Sequence, residues 1–234
     1  MNHEHISRRF DADLEGLRTR VLAMGGLVEQ QLLRAMDGLE SGDMALIDQV
    51  IANDRQVNRH EVELDEACNN VIARRQPAAV DLRMIMTVVK TITDLERIGD
   101  EAKKIAKMAR DIHGGDSRVV PRVNLRPPAD IAVAMLRKAL DAFARLDVNA
   151  SAEVVRQDRE VDAGFKAAMR QLITFMMEDP RTISSSLDLL FVARSIERIG
   201  DHAKNISEYV VYLVKGRDVR HIGLEAMEKE VASR

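Results

Sequence analysis

The chain has 234 residues, 46% hydrophobic and 31% charged, and its 35 Lys and Arg against 38 Asp and Glu leave a formal charge of −3. Charge so nearly balanced gives no global attraction for nucleic acid, and apolar residues in that number exclude a disordered or collagen-like chain. With no Trp, 2 Tyr, 5 Phe, 12 Gly and 5 Pro, the core falls to Leu, Ile, Val, Ala and Met, which points to long helices rather than sheets.

Residues 1–10 (MNHEHISRRF) lack the apolar stretch of a signal peptide, and the longest apolar runs, such as YVVYLV at 209–214, fall far short of a membrane span. The lone Cys68 rules out an intrachain disulfide, and a reactive thiol is the weaker reading. A cytoplasmic protein is expected. The first helix is predicted over 5–40, with Leu32, Leu33, Met36 and Leu39 on one face; Gly25-Gly26 within it marks either a close helix contact or a kink. Ser41-Gly42-Asp43 turns the chain into a second helix, 43–75, with Val50, Val57, Leu64 and Ile72 on its apolar face. Pro77 separates it from a third, 79–112. The stretch HGGDSRVVPRVNLRPP at 113–128 is rich in Gly and Pro and reads as a linker. Helices follow at 128–147, 150–178 and, after Pro180, 182–216, the last with Leu187, Leu190 and Phe191 as its apolar stripe; the tail from Arg217 has room for one more short helix. The methionines, including Met84, Met86, Met176 and Met177, are read as core filler, and His60 and His113 as solvent-exposed.

The halves repeat. Sliding the chain by 101 residues sets DLERIGDEAKKIAK (94–107) over SIERIGDHAKNISE (195–208), with eight identities in fourteen positions. A shift of 104 sets DRQVN (54–58) over DREVD (158–162), and Asp43 over Asp147. The predicted fold is therefore all-α: two antiparallel three-helix bundles related by an internal repeat, 1–113 and 128–216, joined by a linker at 114–127 and followed by a tail at 217–234.

Glu96 and Asp100 stand four apart, as do Glu197 and Asp201, so each pair lies on one helix face. Like charges placed so repel, and helix propensity gives no reason to do this twice. A cation between them is a natural explanation. The preceding helices add Asp158 and Asp162 in the second half, and Asp54 and Asn58 in the first. Such a carboxylate set suits Mg, Mn or Fe, with the second half favoured because Asn58 lacks charge. Gly99 and Gly200, just before the second acid of each pair, suggest that backbone, ligand or metal-bound water must come close there. The competing reading is a solvated, salt-bridged face in which Arg97 and Arg198 supply countercharge. His202 is not three residues after Glu197, so the Glu-x-x-His element of di-iron oxidases is missing. A nucleotide phosphohydrolase would need basic or stacking residues beside the acids, and none is evident. Arg83, with Arg74 and Arg75, reads as helix-end and salt-bridge chemistry first and as a weak candidate for partner contact.

The duplicated Glu-Arg-Ile-Gly-Asp, the stretch RQPAAVDLR at 75–83 and the DRQVN/DREVD acids resemble PhoU, the phosphate-uptake regulator family, over almost the whole chain. Stretches such as MGGLVEQQ at 24–31 and FMMEDPR at 175–181 look like its proteobacterial branch. The resemblance implies two three-helix bundles, no enzymatic activity and no required cofactor. It implies repression of the phosphate-starvation regulon when phosphate is plentiful, through contact with the ATPase subunit of the Pst transporter (PstB) and with the sensor kinase PhoR. It also implies a homodimer, no nucleic acid, contact with the membrane only through partners, and metal held in some members by the residues matching Glu96, Asp100, Glu197 and Asp201, faced here by Asp54, Asp158 and Asp162. Arg97, Arg198 and Arg83 are the candidate partner contacts.

Overall fold

The computed structural model describes residues 8–115, 119–220 and 222–232. Seven α-helices account for nearly all of them: α1 (Arg8–Ser41), α2 (Met44–Arg75), α3 (Ala79–His113), α4 (Arg126–Arg145), α5 (Val148–Glu178), α6 (Ile183–Lys215) and α7 (Leu224–Ala232). No strand occurs among the described residues, and no helix there is long and apolar enough to cross a membrane.

Helices α1 to α3 form one antiparallel bundle and α4 to α6 the other. The two aspartates that recur at the 104-residue shift do the same local job. Asp43 accepts from the amides of Ala45 and Leu46 at 3.0 and 3.2 Å, and Asp147 from those of Asn149 and Ala150 at 2.9 and 3.1 Å. Each carboxylate thereby satisfies amides that the first turn of a helix leaves unpaired. Helix α2 ends on Gln76, which adopts a left-handed conformation at φ 48° and turns the chain through Pro77 into α3. Helix α4 starts at Arg126, two residues before the predicted start. Pro127 and Pro128 fall in its first turn, where a missing N–H breaks no hydrogen bond.

One apolar core runs through both bundles, from Leu17, Val21 and Met24 on α1 to Val210 and Leu213 on α6, with Phe143 fully enclosed. Gly25 is a close helix contact: a β-carbon there would lie 2.6 Å from Leu140 of α4, whereas Gly26 faces open space. The α1–α4 face is also tied by Arg137 to Glu29 at 2.6 Å and by Arg126 to Asp37 at 2.7 Å. The segment at 119–125 packs against the body rather than looping free. Pro121 and Leu125 are buried, and Ser185 Oγ donates to the Val119 carbonyl at 2.6 Å.

Three expectations of burial fail. Leu187 and Phe191 point outward at 42% and 58% exposure, because the core side of α6 is taken by Leu189, Val192, Ala193 and Ile196. Met86 and Met177 are exposed as well, at 42% and 80%, whereas Met84 is buried and Met176 packs on the core edge. His60 is half-buried, while the exposed His113 donates from Nε2 to the Leu39 carbonyl at 2.8 Å and so closes the C-terminal end of α1. Cys68 is buried, and that burial raises its thiol pKa to about 11, which leaves it a small apolar side chain.

Candidate functional site

The carboxylates singled out in the sequence gather into two matching acidic faces, one per half. In the second half Glu197 and Asp201 on α6 meet Asp158 and Asp162 on α5. Burial raises the pKa of Glu197, and repulsion by Asp201 and by both α5 carboxylates raises it further, against Arg194. Asp201 is raised likewise, first by burial and then by Asp158. In the first half Glu96 is raised by burial, then by Asp100, Glu61 and Asp54. Glu61 on α2 escaped the sequence reading, because its repeat partner at the 104-residue shift is Phe165. It supplies the acid that Asn58 lacks.

The lysine that follows each acid pair reaches across to the neighbouring helix. Lys103 Nζ donates to Asp54 at 2.6 Å and Lys204 Nζ to Asp158 at 2.8 Å. The Asp54 bond first, and its charge, keep Lys103 above the ordinary lysine pKa. Burial opposes charge on Lys204, yet Asp158 outweighs it. Each acidic face thus holds a lysine bridging its two helices. Countercharge for Glu197 comes from Arg194, at 2.5 Å, and not from Arg198. The carboxylate chemistry fits a hard divalent ion, and one oxygen in each face, Asp54 Oδ1 and Glu197 Oε2, is buried without a hydrogen-bond partner. As arranged, however, no three His, Cys, Asp or Glu side chains among the described residues come together closely enough to hold an ion.

The two glycines differ in how closely the neighbouring helix approaches. A β-carbon on Gly99 would lie 3.1 Å from Val57, and one on Gly200 3.4 Å from Val161. Val57 and Val161 are themselves repeat partners; Gly99 lets α2 draw close to the helix bearing the acids, whereas a β-carbon at Gly200 would meet α5 only in ordinary van der Waals contact.

A second polar cluster, missed in the sequence, binds the halves to each other along the α3–α6 seam. Buried His202 donates from Nδ1 to Asp94 at 2.7 Å, and Asn205 donates to the same oxygen at 3.2 Å. Ser195 donates to Glu101 at 2.8 Å, and Arg198 and Lys104 each reach Glu101 at 2.9 Å. Asp94 and Ser195 are repeat partners, as are Glu101 and His202. Each half therefore offers one position to the other's second position, the exchange that a two-fold axis imposes on an isologous contact. The sequence signal is present in the 101-residue alignment, where these mismatches are polar and complementary. Arg97 lies close enough to Glu61 and Glu96 to offset part of the rise that burial and neighbouring carboxylates give both pKa values, and Arg83 lies beside Gly216, where a β-carbon would be 3.3 Å from its guanidinium.

Helix α7 through Met227, and the segment before it through Val219, cover the second acidic face by packing on Val155 and Val211. A cavity of about 740 Å³ lies between them, lined by Asp158, Asp162, Asp201, Lys204, Arg220 and Glu208 among others. Burial pushes the Glu208 carboxyl up to about 7, against Lys204 and Arg220. A carboxyl whose pKa rises on folding gives stability that is complete below the unfolded value of 4.5 and is lost as pH climbs through about 7. Glu96, Glu197 and Asp201 shift in the same direction. The thermal midpoint should therefore fall between about pH 5 and pH 8, and Glu208→Gln should flatten the fall, being more stable than the parent by about 3 kcal/mol at pH 8. Parallel melting curves across that range check this.

A family model described as the PhoU domain matches residues 21–109 and 127–210, one copy in each bundle. The chain belongs to the PhoU family. Among its relatives, the phosphate-specific transport system accessory protein PhoU homolog of Pseudomonas aeruginosa is 50% identical over 230 residues, covering 97% of this chain and 94% of the relative. The crystal structure of PhoU from Pseudomonas aeruginosa superposes with a TM-score of 0.85 at 47% identity, covering 89% of this chain and 100% of that one. The phosphate transport system regulatory protein PhoU from Streptococcus pneumoniae superposes at 0.83 with 26% identity, covering 90% and 99%. Both acidic faces and the seam between the halves lie within the matched residues.

Proposed function

We propose that this chain regulates phosphate uptake and the phosphate-starvation regulon, acting in the cytoplasm between the ATPase subunit of the Pst transporter (PstB) and the sensor kinase PhoR and restraining both when phosphate is plentiful. The observation that carries this reading is end-to-end similarity, at half identity, to a phosphate-specific transport system accessory protein. The chain works by binding and not by catalysis. Its charged side chains are spent on cross-helix pairs such as Lys103–Asp54 and Lys204–Asp158. The acidic faces then act in one of two ways. They present negative surface that steers a basic partner patch, or they exchange the internal lysine for Mg²⁺, Mn²⁺ or iron, which would hold α5 to α6 through Asp158, Asp162, Glu197 and Asp201. No cofactor is needed for the fold, and a homodimer belongs to the same proposal, checked by light scattering.

The test is capture of the purified ATPase subunit and of the kinase's cytoplasmic region, with and without each metal, beside a Glu197→Ala/Asp201→Ala variant. Both partners should be retained by the parent, and the variant should lose at least ten-fold in affinity while keeping its helicity. Failure of the parent to retain either partner would overturn the reading. Unfolding of the variant would assign the acid pair to architecture.

A further inference from the structure

Ile183, Leu187 and Phe191 lie four residues apart along α6 and are all exposed, so they form one apolar stripe on a single helix face. Arg194 and Arg198 continue it at helical spacing. Alongside, α3 contributes Lys104 and Met108, and a groove of about 450 Å³ opens between the two helices around Phe191 and Met108. The groove's charge is lopsided. Its three cations are paired from beneath, Lys104 and Arg198 with Glu101, whose side chain is 3% exposed, and Arg194 with Glu197, whose side chain is 13% exposed, so those carboxylates lie inward and the cations outward, beside Asp188 as the other acid of the lining. The side chains of Lys104, Arg194 and Arg198 remain about half exposed, at 50%, 53% and 44%.

The repeat supplies an internal comparison. The position matching Phe191 in the first half is Lys90, whose ammonium sits over the rings of Tyr209 and Tyr212 at 5.4 and 5.3 Å. At that end of the seam the chain fills its own groove, whereas at the Phe191 end the aromatic faces out. We propose that the α3–α6 groove around Phe191 docks an amphipathic helix of a partner protein, with its apolar stripe on Ile183, Leu187 and Phe191 and acidic side chains on Lys104, Arg194 and Arg198. A channel between two helices receives a third helix by ridge-into-groove packing, and the acidic flank is fixed by the outward positive charge. The concavity favours a peptide over an anionic membrane, which would want the same residues on a convex face. The inference is independent of which protein the chain regulates.

The probe is a labelled 18-residue designed helix with Leu and Phe on one face and Glu on its flanks, beside a twin carrying Lys in place of Glu; binding to the full chain is read by fluorescence anisotropy. The acidic helix should bind at least ten-fold more tightly than its twin. Phe191→Ser, on an exposed position that leaves the fold intact by circular dichroism, should cost at least ten-fold, and Lys104→Gln several-fold. Four results would overturn the proposal: no binding of the acidic helix; equal binding of both helices; indifference to Phe191→Ser; or a face taken by another occupant. The last would appear as a concentration-dependent dimer in sedimentation, or as adsorption to vesicles of three parts phosphatidylcholine to one of phosphatidylglycerol, abolished in either case by Phe191→Ser.

Discussion

Asp94→Ala is expected to destabilise the chain by about 3 kcal/mol in urea unfolding, far more than an ordinary surface change. Asp94 is 3% exposed and accepts from both His202 and Asn205, so its loss leaves two donors facing a site that water reaches poorly. A double-mutant cycle with His202→Ala should return a coupling of about 1–3 kcal/mol, since the two touch across the seam. Ser195→Ala should cost only about 1 kcal/mol, because Glu101 keeps Arg198 and Lys104. A loss below about 0.5 kcal/mol for Asp94→Ala would mean that the halves are held by apolar packing alone.

The second large effect lies at the acidic faces. Lys204→Met removes the only cation bonded to Asp158 among the described residues, and that carboxylate's side chain is 9% exposed. Breaking a partly buried pair from one side should cost about 2 kcal/mol in metal-free buffer, less than for a fully buried pair because Lys204 itself is a third exposed. With the ammonium gone, Asp158 is left among the carboxylates of Asp162, Glu197 and Asp201, and on the proposed metal reading a divalent ion takes the ammonium's place. Mn²⁺ at about 100 times its dissociation constant should restore about 2.7 kcal/mol, and it should shift the parent less. Lys103→Met should respond in the same direction, since Glu61 supplies in the first half the fourth acid that Asn58 does not. A variant indifferent to Mn²⁺, or a parent that responds as strongly, would remove the ion from the account.

Most of the architecture was legible because helices of this length are written by local signals that tertiary packing did not override. Asp43 and Asp147 mark helix starts, Pro77 and Pro180 mark breaks, and the apolar period marks the core face. The acid pairs were legible for the same reason: a four-residue spacing fixes a common face whatever packs against it. What escaped is non-local. Leu187 and Phe191 have the spacing of core residues but lie on the side of α6 that no helix covers, and periodicity cannot tell which face a neighbour will occupy. Which close approach Gly99 accommodates could not be read from the sequence, because Val57, the side chain it makes room for, is on another helix. Glu61 was invisible to the repeat, since the duplicated halves place their fourth acid at different positions.

We propose that the chain restrains phosphate genes through its partner contacts. The most direct measurement is alkaline phosphatase activity from a phosphate-starvation promoter in phosphate-replete cells lacking their own PhoU-family protein. Expression of the parent chain should return activity to the repressed level, and the Glu197→Ala/Asp201→Ala variant, present in equal amount, should leave it several-fold higher. Activity that stays high with the folded, abundant parent would contradict the account.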